Sequence, residues 1–299
     1  MPADKLPQLK RDLQEKGYEF RDVPYAHFGA VSDGEKVNLT AYTSGKLVIQ
    51  GKGTTDFIQF YLEPVLLGEA RLGYEHILDP TMLERRIGVD ESGKGDFFGP
   101  LVTAGVYLDE TTARQMMDLG VRDSKLITSD ARVEQLAKAI RQATVWDVVP
   151  MGNDAYNRLH AKMRNVNDIL GWAHARVIEN MLAKKPDCPK AISDQFGNKR
   201  IVQRALMERG KKIELVQRHK AESDLAVAAA SILARDEFVR RLRRLGKEHG
   251  VELPKGASTA VEEAGRELVE KHGADILAKV AKLHFRTAQK IVSAHGATS

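Results

Sequence analysis

Residues Ile87 to Leu101 read IGVDESGKGDFFGPL, and the run from Leu101 to Leu108 is again apolar. Two strand-like stretches are thus joined by a glycine-rich turn, and the first ends on adjacent carboxylates, Asp90 and Glu91. A strand end holds such side chains stiffly, and the adjacent pair concentrates negative charge suited to a hard divalent cation. Glycines beside the pair let a polymer backbone approach closely. The tripeptide Gly-Lys-Gly alone says little, because it recurs at Gly51-Lys52-Gly53; the ordered string carries the signal.

At 299 residues, with 42% apolar and 29% charged residues, the chain is long enough for two globular domains. The expected division is a small N-terminal unit at 1–67, a linker at 68–82 and a catalytic unit at 83–299. Leu6, Leu9 and Leu13 sit at helical spacing before Gly17. Three strand-like runs at 25–31, 37–42 and 46–50 follow, divided by Ser32-Asp33-Gly34 and Thr43-Ser44-Gly45, which favour hairpins. Phe57, Tyr61 and Val65 at four-residue steps predict a helix over 54–67 lying on that sheet.

From Arg86 onward strands alternate with helices: strands at 87–89, 101–108, 145–150, 191–193 and 213–216, and helices at 129–142, 167–182 and 222–247. This order predicts an α/β fold with a mixed sheet flanked by helices. Asp194 ends the strand Ala191-Ile192-Ser193 and can face Asp90 if those two strands are neighbours. Glu222 is expected in the first turn of the long helix, where LAVAAASILARDEF offers small residues for tight packing on the sheet. Asp224 is the fallback at that position. Asp236 returns to nearly the same helical face but lies roughly 21 Å along the axis, too far to share a site, and is expected in a structural ion pair.

The string DESGKG, the strand-end Asp194 followed by Gln195-Phe196-Gly197, the Lys220-Ala221-Glu222-Ser223 opening of the alanine-rich helix and Asp123-Ser124-Lys125-Leu126 together resemble type 2 ribonucleases H, and ribonuclease HIII most of all. The resemblance spans Tyr25 to Phe285 and implies a ribonuclease H-like catalytic domain. It implies a small N-terminal α/β domain resembling half of the TATA-binding protein fold, which helps bind substrate. It also implies cleavage of the RNA strand of RNA/DNA hybrids, leaving 5′-phosphate and 3′-hydroxyl ends. Asp90, Glu91, Asp194 and Glu222 are the implied catalytic and metal-binding residues. Two Mg²⁺ or Mn²⁺ ions are implied, in keeping with a donor set of carboxylate oxygens without histidine or cysteine. The turn Ser92, Gly93, Lys94 and Gly95 is the implied reader of the ribose 2′-hydroxyl, with Ser124 and Lys125 on phosphates and Tyr42, Lys46 and Lys52 as contacts on the N-terminal unit. Tyr156-Asn157 and Asn165 to Asn167 also look familiar for type III chains, as lining of the substrate groove. Two other readings stay open: cleavage at single ribonucleotides embedded in DNA, and a hybrid-binding module without catalysis.

Charge distribution points to the same partner. Residues 199–247 hold 14 Lys and Arg against 6 Asp and Glu, a local +8, whereas 1–70 hold 8 against 10, a local −2. A basic segment of this kind favours polyanions through counterion release. The lone Cys188 cannot form an internal disulfide, no apolar run is long enough to span a bilayer, and no GxxxxGK[ST] or HExxH motif occurs. A cytoplasmic monomer that uses neither ATP nor a membrane is expected.

Overall fold

Ser32-Asp33-Gly34 and Thr43-Ser44-Gly45 do turn the chain. In the computed structural model, which describes residues 1–68, 80–121, 127, 129–198, 200–218 and 221–296, they separate β2 (Ala26–Ser32), β3 (Val37–Tyr42) and β4 (Leu47–Gln50). A three-residue strand β1 (Glu19–Arg21), too short to show alternation in the sequence, precedes them. The four form an antiparallel sheet in chain order. Leu9 and Leu13 of helix α1 (Leu6–Glu15) are buried against Ala30, Leu39, Phe57 and Leu66. The helix expected over 54–67 begins as the α-turn α2 (Thr54–Phe57) and continues as a π-helix, Ile58–Leu67. That change corrects the expected face. An i→i+5 ladder winds more residues into each turn, so Phe57, Tyr61, Leu62 and Leu66 point inward while Val65 is 56% exposed.

The chain divides into two units, Met1–Thr81 and Met82–Ser299. In the second, β5 (Arg86–Ser92), β6 (Leu101–Leu108) and β7 (Val145–Met151) are joined by β8 (Lys190–Asp194) and β9 (Glu214–Arg218). The sheet runs β7-β6-β5-β8-β9. Pairing is antiparallel from β7 to β5 and parallel from β5 to β9, which is the mixed sheet expected. Helices α3 (Glu110–Asp118), α4 (Asp130–Ala143), α5 (Asn153–Met163), α6 (Val166–Lys184), α7 (Arg200–Ala205), α8 (Leu225–His249), α9 (Thr259–His272), α10 (Ile276–Val280) and α11 (Arg286–Gly296) complete it. Patterning missed α3, α5, α7 and α9 to α11. In α3 the only buried side chains are Ala113 and Met116, too sparse to set a period, and α10 is five residues long.

Two helices flank the strand that carries the carboxylates. Ile87 and Val89 pack with Val177, Ile178 and Met181 of α6. Gly88 faces the other way, where a Cβ would lie 2.1 Å from the Ala226 carbonyl carbon of α8. The alanine run therefore lets a helix backbone touch a strand backbone.

The start of α8 corrects the expected placement of Glu222. A short 3-10 turn, Ala221–Ser223, precedes the helix, and Asp224 is its N-cap, accepting from Ala226 N at 2.8 Å and Val227 N at 3.4 Å. Glu222 thus lies before the cap, outside the first helical turn. Competition between an aspartate side chain and the helix for backbone N–H groups ends the coil at Asp224. Its other oxygen accepts from Arg86 Nε at 2.7 Å, with Arg86 completely buried and also donating to the Glu84 carbonyl at 2.7 Å. Asp224 is therefore committed to the fold. Asp236 pairs with Arg141 at 2.7 Å, the structural ion pair expected.

Replacing Asp224 with Ala strands the Arg86 charge and removes the cap. A loss of about 3–5 kcal/mol of stability is expected in urea denaturation; a change under about 1 kcal/mol would show that the pair does not hold these elements.

Candidate active site

The cleft at the end of β5 has a volume of about 310 Å³ and is lined by Asp90 to Gly95, Asp194, Val227, Ser231 and Arg235. Its geometry starts from strand register. β5 and β8 are parallel with Val89 opposite Ser193, so Asp90 and Asp194 follow one step later at neighbouring strand ends. Asp194 Oδ1 accepts from Ala221 N at 3.4 Å, which fixes the backbone just before Glu222 beside it. The Glu222 side chain lies outside the described residues. So do Ser124 and Lys125. Among the described residues no three His, Cys, Asp or Glu side chains are gathered closely enough to hold an ion.

The carboxylates are held by groups that the sequence did not advertise. Burial first, and then the adjacent Glu91, push the Asp90 carboxyl up to about 7, opposed by a hydrogen bond from the Ser231 side chain. Glu91 Oε2 lies 2.9 Å from Nε2 of His174, a completely buried residue of α6. A carboxylate only accepts, so Nε2 carries the proton and donates, while Nδ1 has no hydrogen-bond partner among the described residues. The His174 ring meets Phe196 edge-on at 4.9 Å, and Lys94 Nζ lies 5.7 Å from the Phe196 centroid and 3.9 Å from Glu91 Oε1. Val227, Ser231 and Arg235, at steps of four along α8, present one helix face to the cleft. That spacing was readable. Nothing in the sequence marks His174 as lying beneath Glu91.

Arg235 also donates to the Ile127 carbonyl at 2.8 Å and to Asp130 at 3.1 Å, so its guanidinium is oriented rather than free to swing. Oxygen donors whose ionisation burial opposes suit a divalent cation, and cations on the same walls suit a phosphate. The residues present therefore fit hard metal ions.

The glycine turn has two kinds of glycine. Gly93 has φ +91°, and a Cβ there would lie 2.3 Å from the Pro100 carbonyl oxygen and 2.9 Å from the Phe238 ring. The fold itself demands this glycine. Gly95 has nothing within 4 Å of its Cβ position and is exposed. Of the groove residues suggested by resemblance, Tyr156 is completely buried and Asn157 donates to the Ala278 and Ala281 carbonyls at 3.2 and 2.9 Å, so both support the fold. On the N-terminal unit Lys46 and Lys52 are exposed and Tyr42 half-buried.

A family model described as Ribonuclease HII matches residues 87–288. The chain is 42% identical over 289 residues to a ribonuclease HIII of Protochlamydia amoebophila, covering 97% of this chain and 94% of that protein. The chain belongs to the ribonuclease HIII family. A ribonuclease HIII of Chlamydia pneumoniae is 43% identical over 287 residues, with 95% and 94% covered. Among solved structures, Bst-RNase HIII in complex with Mn²⁺ superposes with a TM-score of 0.68 at 27% identity, covering 98% of this chain and 96% of that one. Aquifex aeolicus RNase H3 gives 0.56 at 26% identity, covering 95% and 98%. Both structures are covered along nearly their whole length by this chain.

Two outcomes follow for the cleft. Because the Asp90 carboxyl is raised from 3.8 to about 7, its stabilising contribution is present below pH 4 and lost as pH rises through 7. In metal-free protein, Asp90→Asn should raise Tm at pH 8 and have little effect at pH 4; equal Tm values at pH 8 would mean that ionised Asp90 is not strained. Gly93→Ala should lower Tm by several degrees while Gly95→Ala leaves it unchanged, and the reverse order in a thermal melt would refute the assignment of structural and open glycines.

Proposed function

We propose that the chain is an endonuclease that hydrolyses the RNA strand of RNA/DNA hybrids with two Mg²⁺ or Mn²⁺ ions, leaving 5′-phosphate and 3′-hydroxyl ends. The observation that carries this reading is the cleft that puts Asp90 and Asp194 on adjacent parallel strand ends, with the Glu222 turn tied to Asp194 and the cations Arg235 and Lys94 on the same walls. Asp90, Glu91, Asp194 and Glu222 would hold the ions. When bound, such a pair supplies activation of a water on one side of the scissile phosphate and stabilisation of the leaving 3′ oxygen on the other.

The protein's own contribution is placement. Ser231 and His174 orient Asp90 and Glu91. Arg235, fixed through Ile127 and Asp130, offers donors to a phosphate oxygen. The exposed Gly95 allows the close backbone approach by which the Ser92 to Gly95 turn would distinguish a ribose 2′-hydroxyl. Lys94 is the nearest cation of that turn, and Ser124 and Lys125 would extend the phosphate contacts. The N-terminal unit would add binding through Tyr42, Lys46 and Lys52 without touching chemistry. Among the described residues no helix is long and apolar enough to cross a membrane.

A uniform hybrid and a DNA duplex with one embedded ribonucleotide, each with and without Mg²⁺ or Mn²⁺, separate the alternatives. The hybrid should be cut only with metal, and Asp90→Asn should fall below about a tenth of wild-type rate, since several kcal/mol of transition-state stabilisation are lost. Cleavage confined to the embedded ribonucleotide, or none with either ion, would displace the reading.

Phosphate contacts beyond the cleft are expected from α8. Arg240, Arg243, Arg244 and Lys247 share one face and line a cavity of about 400 Å³. Arg243 pairs with Asp130 and Arg240 with Glu237. Arg244 and Lys247 are left for a substrate, so Arg244→Gln with Lys247→Gln should reduce the salt slope of hybrid binding by about two; an unchanged slope would place the duplex elsewhere.

A further inference from the structure

Lys282 is completely buried, yet its ammonium makes no ion pair within the described residues. Its Nζ donates to the carbonyls of Gly99 at 2.6 Å and Asp96 at 2.9 Å, and it lies 5.8 Å from the Tyr156 ring centroid. Both carbonyls belong to the stretch that carries the chain out of the glycine turn and into β6. The same stretch is gripped along its backbone. Lys282 N donates to Phe97 O at 2.8 Å, Gly99 N donates to Val280 O at 2.9 Å, and Phe98 bridges to Ala281. The turn in turn rests on that stretch, because Asp96 N donates to Gly93 O at 3.4 Å and Gly93 lies against the Pro100 carbonyl.

We propose that Lys282 is a positioning residue for substrate recognition, holding residues 96–99 so that the Ser92 to Gly95 turn keeps the shape that meets the ribose. This rests on the reading of that turn as the sugar contact. Its ammonium is an expensive choice for a purely structural peg. Burial in a site with no countercharge in contact costs more than an apolar residue of similar length, and Gly99 O already accepts from Asn153 Nδ2 at 2.9 Å. What an apolar side chain cannot do is fix two carbonyls of one loop at once.

The charged and titratable groups around it are few. Asp96 lies on the clamped stretch, Tyr156 on α5, and His284 follows two residues on, stacked at 4.4 Å on His160 of α5. Burial lowers the Lys282 ammonium from 10.5 to about 7, against the opposing pull of Asp96. Asp96 is itself bonded to Gly256 N at 2.6 Å. A folded value below the unfolded one means that the unfolded chain binds more protons between pH 7 and 10.5, so the burden on stability is full below pH 7 and fades as pH rises.

The test compares Lys282→Met and Lys282→Arg in the full-length protein, reading Tm at pH 6 and 9 beside kcat and KM on a uniform hybrid. Glu179→Gln serves as a fold control, since Glu179 accepts from Met207 N and Gly210 N at 2.8 and 2.7 Å away from the cleft. Lys282→Met should melt no lower than wild type, with its advantage larger at pH 6 than at pH 9, yet lose at least tenfold in kcat/KM, mostly in KM. Glu179→Gln should lose Tm and keep KM. Lys282→Arg, if it folds, should recover part of the lost KM. Unchanged kcat/KM in folded Lys282→Met would overturn the proposal, and so would a loss that follows the unfolded fraction as it does for Glu179→Gln. An inactive wild-type protein on hybrid would instead defeat the proposed function and leave the stability arm standing.

Discussion

The buried pair of Arg86 and Asp224 sets the position of nearly everything that matters in the second unit. It joins the first residue of β5 to the cap of α8, 138 residues apart in sequence. One oxygen of Asp224 takes the arginine and the other takes the first helical N–H groups, so strand and helix start from one point. From that point β5 runs to Asp90 and Glu91, and α8 runs past Ser231 and Arg235. The Gly88 contact with Ala226 then keeps the two backbones from sliding. Both walls of the cleft are in this sense measured from a single ion pair. Among the described residues Arg86 Nη2 has no hydrogen-bond partner, the remaining cost of burying a guanidinium for that purpose.

Much of this was legible. The carboxylate strand, its antiparallel partner, the neighbouring strand ending on Asp194 and the small-residue helix all follow from runs of residues whose local pattern agrees with the tertiary arrangement. That Asp236 lies too far along its helix to join the site followed from helical rise, and the ion pair expected there is made with Arg141. What could not be read depended on distant parts of the chain. Asp224 looked like a spare ligand because its partner, Arg86, is far away in sequence. The π-helix moved Val65 outward because a change in hydrogen-bond ladder leaves no residue signature. His174 sits in a helix with a mostly apolar surface, and only the crossing of α6 beneath β5 brings it to Glu91.

The glycine turn illustrates why residue type and residue role come apart. Gly93 and Gly95 are two positions apart and chemically identical, yet one is enclosed by Pro100 and Phe238 while the other opens on solvent. A sequence reading gives both to the substrate. Packing gives the first a demand from the fold as well, and leaves the second as the place where a polymer can come close.

The span between Arg86 and Asp224 also bears on how the chain comes together. The first unit is a meander whose strands pair with their immediate neighbours, so it pays little loop-closure entropy and should form early. The central strands of the second sheet, β5 and β8, must wait for a parallel pairing across about a hundred residues, and the cap of α8 for a still longer closure. A folding intermediate would then present an ordered first unit beside a second whose acidic strand ends have not yet met. Such a species holds no assembled cleft, and the capacity to cut nucleic acid arrives only with the last long-range closure.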